Sequence, residues 1–95
     1  MVVSMIQLII ELPGIGSIKE KRRIVNSLKD RLSKKYKISV AEVDLQSSLC
    51  FVQLGAAIVS NSKRFGESVM QKALLFIEEE VPGRVQHVQI LSEIY

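Results

Sequence analysis

The order in which hydrophobic periodicities change along the chain narrows its fold more than any other feature. From Val2 to Leu12 the even positions Val2, Ile6, Leu8, Ile10 and Leu12 are apolar, with Ser4 the exception, and the odd positions are mixed; this is the two-residue period of a strand. Pro13-Gly14-Ile15-Gly16 interrupts it. From Ser17 the period becomes helical, and Ile18, Val25, Leu28, Leu32 and Tyr36 fall on one stripe. Ser17-Ile18-Lys19-Glu20 predicts a capping box, with the Ser17 hydroxyl accepting from the Glu20 amide and the Glu20 carboxylate reaching back to the Ser17 amide. Lys34, Lys35 and Lys37 suit the negative end of that helix.

The second half repeats the scheme. Ile38–Val43 reads as a short strand, Asp44–Ser48 as a turn, and Leu49–Ser60 as a long strand with Cys50, Val52, Leu54, Ala56 and Ile58 on one face. Gly55 inside that strand predicts a bulge or the close approach of another group. Asn61 or Ser62 can cap a second helix reaching about Glu80, with Phe65, Val69, Ala73, Phe76 and Ile77 as its buried stripe and Leu75 off it. Pro82-Gly83 ends the helix, and Arg84–Ile94 forms a last strand.

A chain of 95 residues has room for one core, so residues 1–95 are read as a single domain. The order β-α-β-β-α-β, with crossovers long enough for right-handed connections, predicts an α+β fold of ferredoxin-like layout. Its sheet is a four-stranded antiparallel one carrying both helices on one face. The competing arrangement is a three-stranded sheet in which Ile38–Val43 is extended loop.

Charge is distributed unevenly along this scheme. Between Ser17 and Lys37 lie nine basic residues and only Glu20 and Asp30 as acids, a local charge of +7 in a chain whose net charge is +3. One helix is therefore strongly basic and the rest of the chain mildly acidic.

Several segments carry a likeness to a known family. Leu12-Pro13-Gly14, Ser17-Ile18-Lys19-Glu20-Lys21-Arg22-Arg23, Ser39-Val40-Ala41-Glu42-Val43 and Leu54-Gly55 with Val59-Ser60-Asn61 follow one another with the order and spacing of the YlxP family. The chain resembles these small bacterial proteins of unknown function over nearly its whole length. The resemblance implies a ferredoxin-like fold, and family gene neighbourhoods imply a role near the ribosome. Where many members carry Trp-Gln-Arg, the equal-length segment here is Leu49-Cys50-Phe51, which lacks the aromatic–cation pair suited to base stacking.

Two surfaces are candidates for function. Clustered Lys and Arg attract phosphate backbones through charge neutralisation and counterion release. Arg22, Arg23, Arg31, Lys34 and Lys35 are the expected phosphate contacts to ribosomal or other structured RNA, positioning it without specifying sequence. On a helical wheel they spread over most of the polar half, which is also how an ordinary solvated helix face looks. The second surface is the sheet face that the helices leave open. Val3, Met5, Ile9, Phe51, Ala57, Val59 and Leu91 are expected on it, with Gln7, Gln53, His87 and Gln89 between them. An apolar patch of this kind usually marks an interface, so a homodimer through this face is expected unless a loop or Tyr95 covers it. A homo-oligomeric interaction module without any nucleic-acid role is the alternative reading. With Phe51 the only aromatic there, base stacking on the sheet is not expected.

Other residues are better read as structural. Lys21 sits at the apolar edge of its helix and is expected to lie along the core with its ammonium at the rim, or to reach Glu11 or Glu42. Pro13-Gly14-Ile15-Gly16-Ser17 lacks both the G-x-x-x-x-G-K-S/T and the G-x-G-x-x-G spacing, and Glu20 would repel a phosphate there. Cys50 and His87 are the single cysteine and histidine, and their opposite parities keep them apart in any register free of bulges. Glu78-Glu79-Glu80 reads as a solvated helix end. No nucleophile–base pair or metal-ligand cluster stands out, so no enzyme activity, cofactor, metal or small-molecule substrate is expected. No apolar stretch is long enough to span a bilayer, and Met1–Leu12 lacks a basic leader and a cleavage site, so a cytoplasmic protein without membrane association is the default expectation.

Overall fold

The computed structural model describes residues 1–95. Strand β1 (Val2–Glu11) is followed by helix α1 (Ile18–Tyr36), strand β2 (Ser39–Asp44), strand β3 (Phe51–Ser60), helix α2 (Lys63–Glu80) and strand β4 (Arg84–Ile94). The four strands form one sheet in the order β2-β3-β1-β4, with β1–β3, β1–β4 and β2–β3 all antiparallel. The fold is the α+β, ferredoxin-like one. Pairing of β2 with β3 rules out the three-stranded alternative.

β1 is central and obeys its alternation without exception: Val2, Ser4, Ile6, Leu8, Ile10 and Leu12 are buried beneath the helices, while the odd positions are half-buried on the opposite face. Val25, Leu28 and Leu32 of α1 and Met70, Ala73 and Ile77 of α2 close the core from above, together with Val52 and Leu54 of β3. No helix is long and apolar enough to cross a membrane.

Caps form where Ser17 and Ser62 predict them. Ser17 Oγ accepts from the Glu20 amide at 3.1 Å and Ser62 Oγ from the Phe65 amide at 3.2 Å. The return arm of the capping box differs from expectation: the Glu20 carboxylate accepts from Gly16, at 3.1 Å, rather than from Ser17. The Gly16 amide, just ahead of the N-cap, is thereby satisfied within the chain.

The buried stripe of α2 keeps the expected Ala73 and Ile77, with Val69 and Phe76 packed against its margin, and departs from expectation at its start. Gly66, Met70, Ala73 and Ile77 are buried, whereas Phe65 is 55% exposed. Gly66 explains the shift. A Cβ there would overlap the Ser4 side chain, so the glycine lets α2 settle onto β1 and turns Phe65 outward. Leu75 is exposed, as the helical spacing requires.

Cys50 lies outside β3 and is exposed, not on its core face. Its carbonyl accepts from the Leu12 amide at 2.6 Å, which ties the β2–β3 loop to the end of β1. Gly55 marks a close approach: Val43 leans across it, 3.0 Å from where a Cβ would stand, and the irregularity in pairing lies on β2 between Glu42 and Asp44. A second irregularity, on β4, changes the open face. The register with β1 shifts between Gln7 and Ile9, and His87 adopts a φ of 54° there. Gln86 therefore stands opposite Ile9, in the place expected for His87.

Candidate nucleic-acid interface

Helix α1 owes its placement to one side of its surface. Lys21, Val25, Leu28 and Leu32 are buried and Ile24 and Tyr36 pack beside them, so the opposite arc of this 19-residue helix faces solvent along its length. At 1.5 Å per residue that is a rod about 28 Å long, enough to lie along several successive phosphates.

Eight of the nine basic residues divide into three groups, and the ninth, Lys29, is half-buried and without an ion pair. Lys21 is taken out of the surface altogether, being 1% exposed. Its ammonium donates to the Leu45 carbonyl at 2.7 Å and the Ser48 carbonyl at 2.6 Å, and it stands 3.1 Å from Glu42 Oε2. The ammonium is thus enclosed rather than held at the rim, and Glu42, not Glu11, is its acidic partner. The Glu42 contact is an ion pair by distance, but its alignment leaves Oε2 without a hydrogen-bond donor. A lysine in a basic run gives no local sign that it is destined for the core. The sign lies in its period, four residues before Val25 and seven before Leu28.

Arg31, Lys34 and Lys35 form the second group, exposed yet engaged. Arg31 meets Glu80 at 2.8 Å and Lys34 meets Asp30 at 3.1 Å. Both pairs are open to water and hold their partners weakly. The Lys35 ammonium stands 4.9 Å from the centre of the Phe76 ring, and the Arg31 guanidinium 5.6 Å from it. Tyr36 meets the same ring edge-on at 6.0 Å. Glu80 is the one member of Glu78-Glu79-Glu80 to find a cation; all three are exposed.

Arg22 and Arg23, with Lys19 and Lys37, form the third group: exposed and free of ion pairs. Lys19, Arg23 and Lys34 lie on the outermost stripe of α1, opposite its buried side, whereas Arg22 turns toward β2 and Arg31 and Lys35 toward α2. The five expected phosphate contacts thus ring the exposed arc of one helix, with Arg22 and Arg23 the least encumbered.

The open sheet face is apolar where expected. Val59 is 63% and Leu91 47% exposed, and Val3, Met5, Ile9, Phe51 and Ala57 are half-buried beside them. No segment crosses it. Tyr95 stays at its border, its amide bonded to the Met1 carbonyl at 2.7 Å and its hydroxyl donating to Glu93 at 2.7 Å. That bond to a carboxylate raises the Tyr95 pKa above its ordinary value, with the Glu93 charge adding to the effect. Cys50 and His87 lie on opposite sides of β1, one beyond the start of β3 and the other on the outer strand β4.

Comparison with known proteins agrees with the motifs. Residues 3–90 match a family described as "Protein of unknown function (DUF503)". The chain is 33% identical over 63 residues to "Uncharacterized protein YlxP" of Bacillus subtilis (strain 168), a match covering 66% of this chain and 68% of that one. With nearly its whole length matched, this chain belongs to the DUF503 family of small proteins of unknown function.

Proposed function

We propose that this protein is a non-enzymatic accessory factor that associates with RNA or the ribosome, helix α1 lying against phosphate backbones. The observation that carries the reading is the pair Arg22–Arg23. Both are exposed, neither is neutralised by a carboxylate, and both stand on a helix anchored through its neighbour Lys21. Burying Lys21 with Val25, Leu28 and Leu32 fixes the azimuth of α1, so Arg23 points straight out to solvent and Arg22 out along the β2 side. Arg31, Lys34 and Lys35 add charge along the same rod, and their exposed pairs with Glu80 and Asp30 can exchange for phosphate at small cost. Such contacts position an RNA by its backbone and tolerate many sequences. The departure at Leu49-Cys50-Phe51 fits this division, since backbone binding needs no stacking residue in the loop.

An electrophoretic shift with a structured RNA at two salt concentrations tests the proposal. The wild type should shift at low salt and release at high salt, and Arg22→Gln/Arg23→Gln/Lys34→Gln should abolish the shift. Equal binding by that variant, or no wild-type shift at low salt, would refute it.

A further inference from the structure

We infer that a second copy of this chain covers the open sheet face, the two sheets being related by a two-fold axis that runs along the strands between β1 and β3. The inference stands apart from the RNA reading, because α1 lies on the opposite side of the sheet.

The registers align the open-face residues into rows across the four strands. One row runs Ser39, Ala57, Met5, Leu91, and the next runs Ala41, Gly55, Gln7, Gln89. In both rows the β2–β3 half carries small side chains and the β1–β4 half large ones. The small half is a hollow of about 340 Å³ bounded by Val43, Met5 and Gln7. A two-fold along the strands reverses the order of strands but keeps the rows level. Each β1–β4 half then lies over the β2–β3 half of the other copy. Met5 and Leu91 of one copy enter the hollow over Ala57 and Ser39 of the other, and the same fit occurs twice, as an isologous interface demands. In the adjoining row Val59 meets Val3 of the other copy, beside a second hollow of about 200 Å³ lined by Val3, Met5 and Leu91. A two-fold across the strands would instead lay Met5 against Ile9 and Leu91 against Gln86, large on large, and leave the small halves facing one another.

Charge points to the same axis. Glu93 ends the Val59–Val3 row on β4, and Lys37 stands two residues ahead of Ser39 at the corresponding end of β2. At the far end Arg84 lies on β4, and Asp44, paired with Gln53, lies on β2. Reversal of strand order brings Glu93 toward Lys37 and Arg84 toward Asp44, so both outer corners match acid with base. The middle of the face carries apolar, amide and hydroxyl side chains, and Glu11, the carboxylate on its inner strand β1, stands at the far end opposite Arg84 of its own chain. Twisted sheets pack in this aligned manner at a spacing of about 10 Å, within reach of these side chains.

Analytical ultracentrifugation of the full chain at micromolar concentration, with thiol cross-linking, tests the inference. The wild type should sediment at twice the 10.7 kDa chain mass. Ala57→Glu, which places a charge in the hollow without touching the core, should weaken the dimer by roughly tenfold or more while leaving the circular dichroism spectrum unchanged. In a Cys50→Ser background, Ser39→Cys/Leu91→Cys should oxidise to a covalent dimer, and Leu91→Cys alone should not. Glu93→Lys should weaken the dimer, and Glu93→Lys/Lys37→Glu should restore it. A wild-type monomer, a dimer indifferent to Ala57→Glu, or cross-linking by Leu91→Cys alone would each overturn the proposed arrangement.

Discussion

The Lys21 ammonium stands 3.1 Å from Glu42 Oε2, joining helix α1 to the edge strand β2 across a contact in which the lysine side chain is 2% and the glutamate 16% exposed. The same ammonium also holds the Leu45 and Ser48 carbonyls of the following loop. One side chain thereby sets the rotation of α1 and the course of the β2–β3 connection. Lys21→Met should cost about 3 kcal/mol, because it leaves a buried carboxylate without its counter-ion. Lys21→Met/Glu42→Gln should recover part of that loss, the remainder reflecting two carbonyls left without a donor. Urea denaturation gives both values, and amide exchange in residues 44–50 should quicken in each variant.

Gly66 supplies a test of the packing between α2 and β1. A Cβ at this position would overlap the Ser4 side chain, whose Oγ is already engaged with Ser92 Oγ at 2.7 Å. Alanine favours a helix over glycine by about 1 kcal/mol, yet Gly66→Ala should destabilise the protein by about 1–3 kcal/mol, since overpacking outweighs propensity at such a contact. Ser4→Gly in the same background should return part of the loss. Thermal unfolding followed by circular dichroism reads both effects.

Glu80 competes with phosphate for Arg31, which it meets at 2.8 Å on the surface. Glu80→Gln should therefore tighten RNA binding by roughly two- to fivefold, the scale of an exposed ion pair, with no loss of stability. Competition gel shifts between wild type and variant on one RNA measure the difference.

Tyr95 carries a pH dependence of known sign. Its hydroxyl donates to Glu93, and its pKa is raised above the ordinary value first by that bond and then by the neighbouring charge. A group whose folded pKa is raised contributes stability that is fully present below the unfolded pKa, near 10 for tyrosine, and is lost as pH rises through the folded value. Ultraviolet titration should show one tyrosine ionising later than in Glu93→Gln, where both the bond to a carboxylate and its charge are removed.

Most of the fold was legible in residue periods. The alternation of Val2–Leu12 specifies which face of β1 is buried, and Ser17 and Ser62 announce their caps by chemistry that acts within four residues. What escaped reading depends on contacts between elements. Phe65 fits a helical stripe as well as Met70 does, and only the meeting of Gly66 with Ser4 decides between them. The β4 irregularity that puts Gln86 in place of His87 comes from strand pairing, and no residue in Gln86-His87-Val88 marks it beforehand. The basic helix was plain from composition. The division of its cations into buried, engaged and free required the positions of Glu42, Glu80, Asp30 and Phe76.

If the unneutralised cations of α1 meet phosphate, RNA affinity must fall with salt in proportion to the number of contacts. Fluorescence anisotropy of a labelled structured RNA over a range of potassium chloride should give a linear decline of log affinity against log salt. Arg22→Gln and Arg23→Gln should each lower that slope by about one unit while leaving the melting temperature unchanged. A slope identical in wild type and both variants, or no measurable affinity at the lowest salt, would mean that α1 does not bind RNA through these arginines.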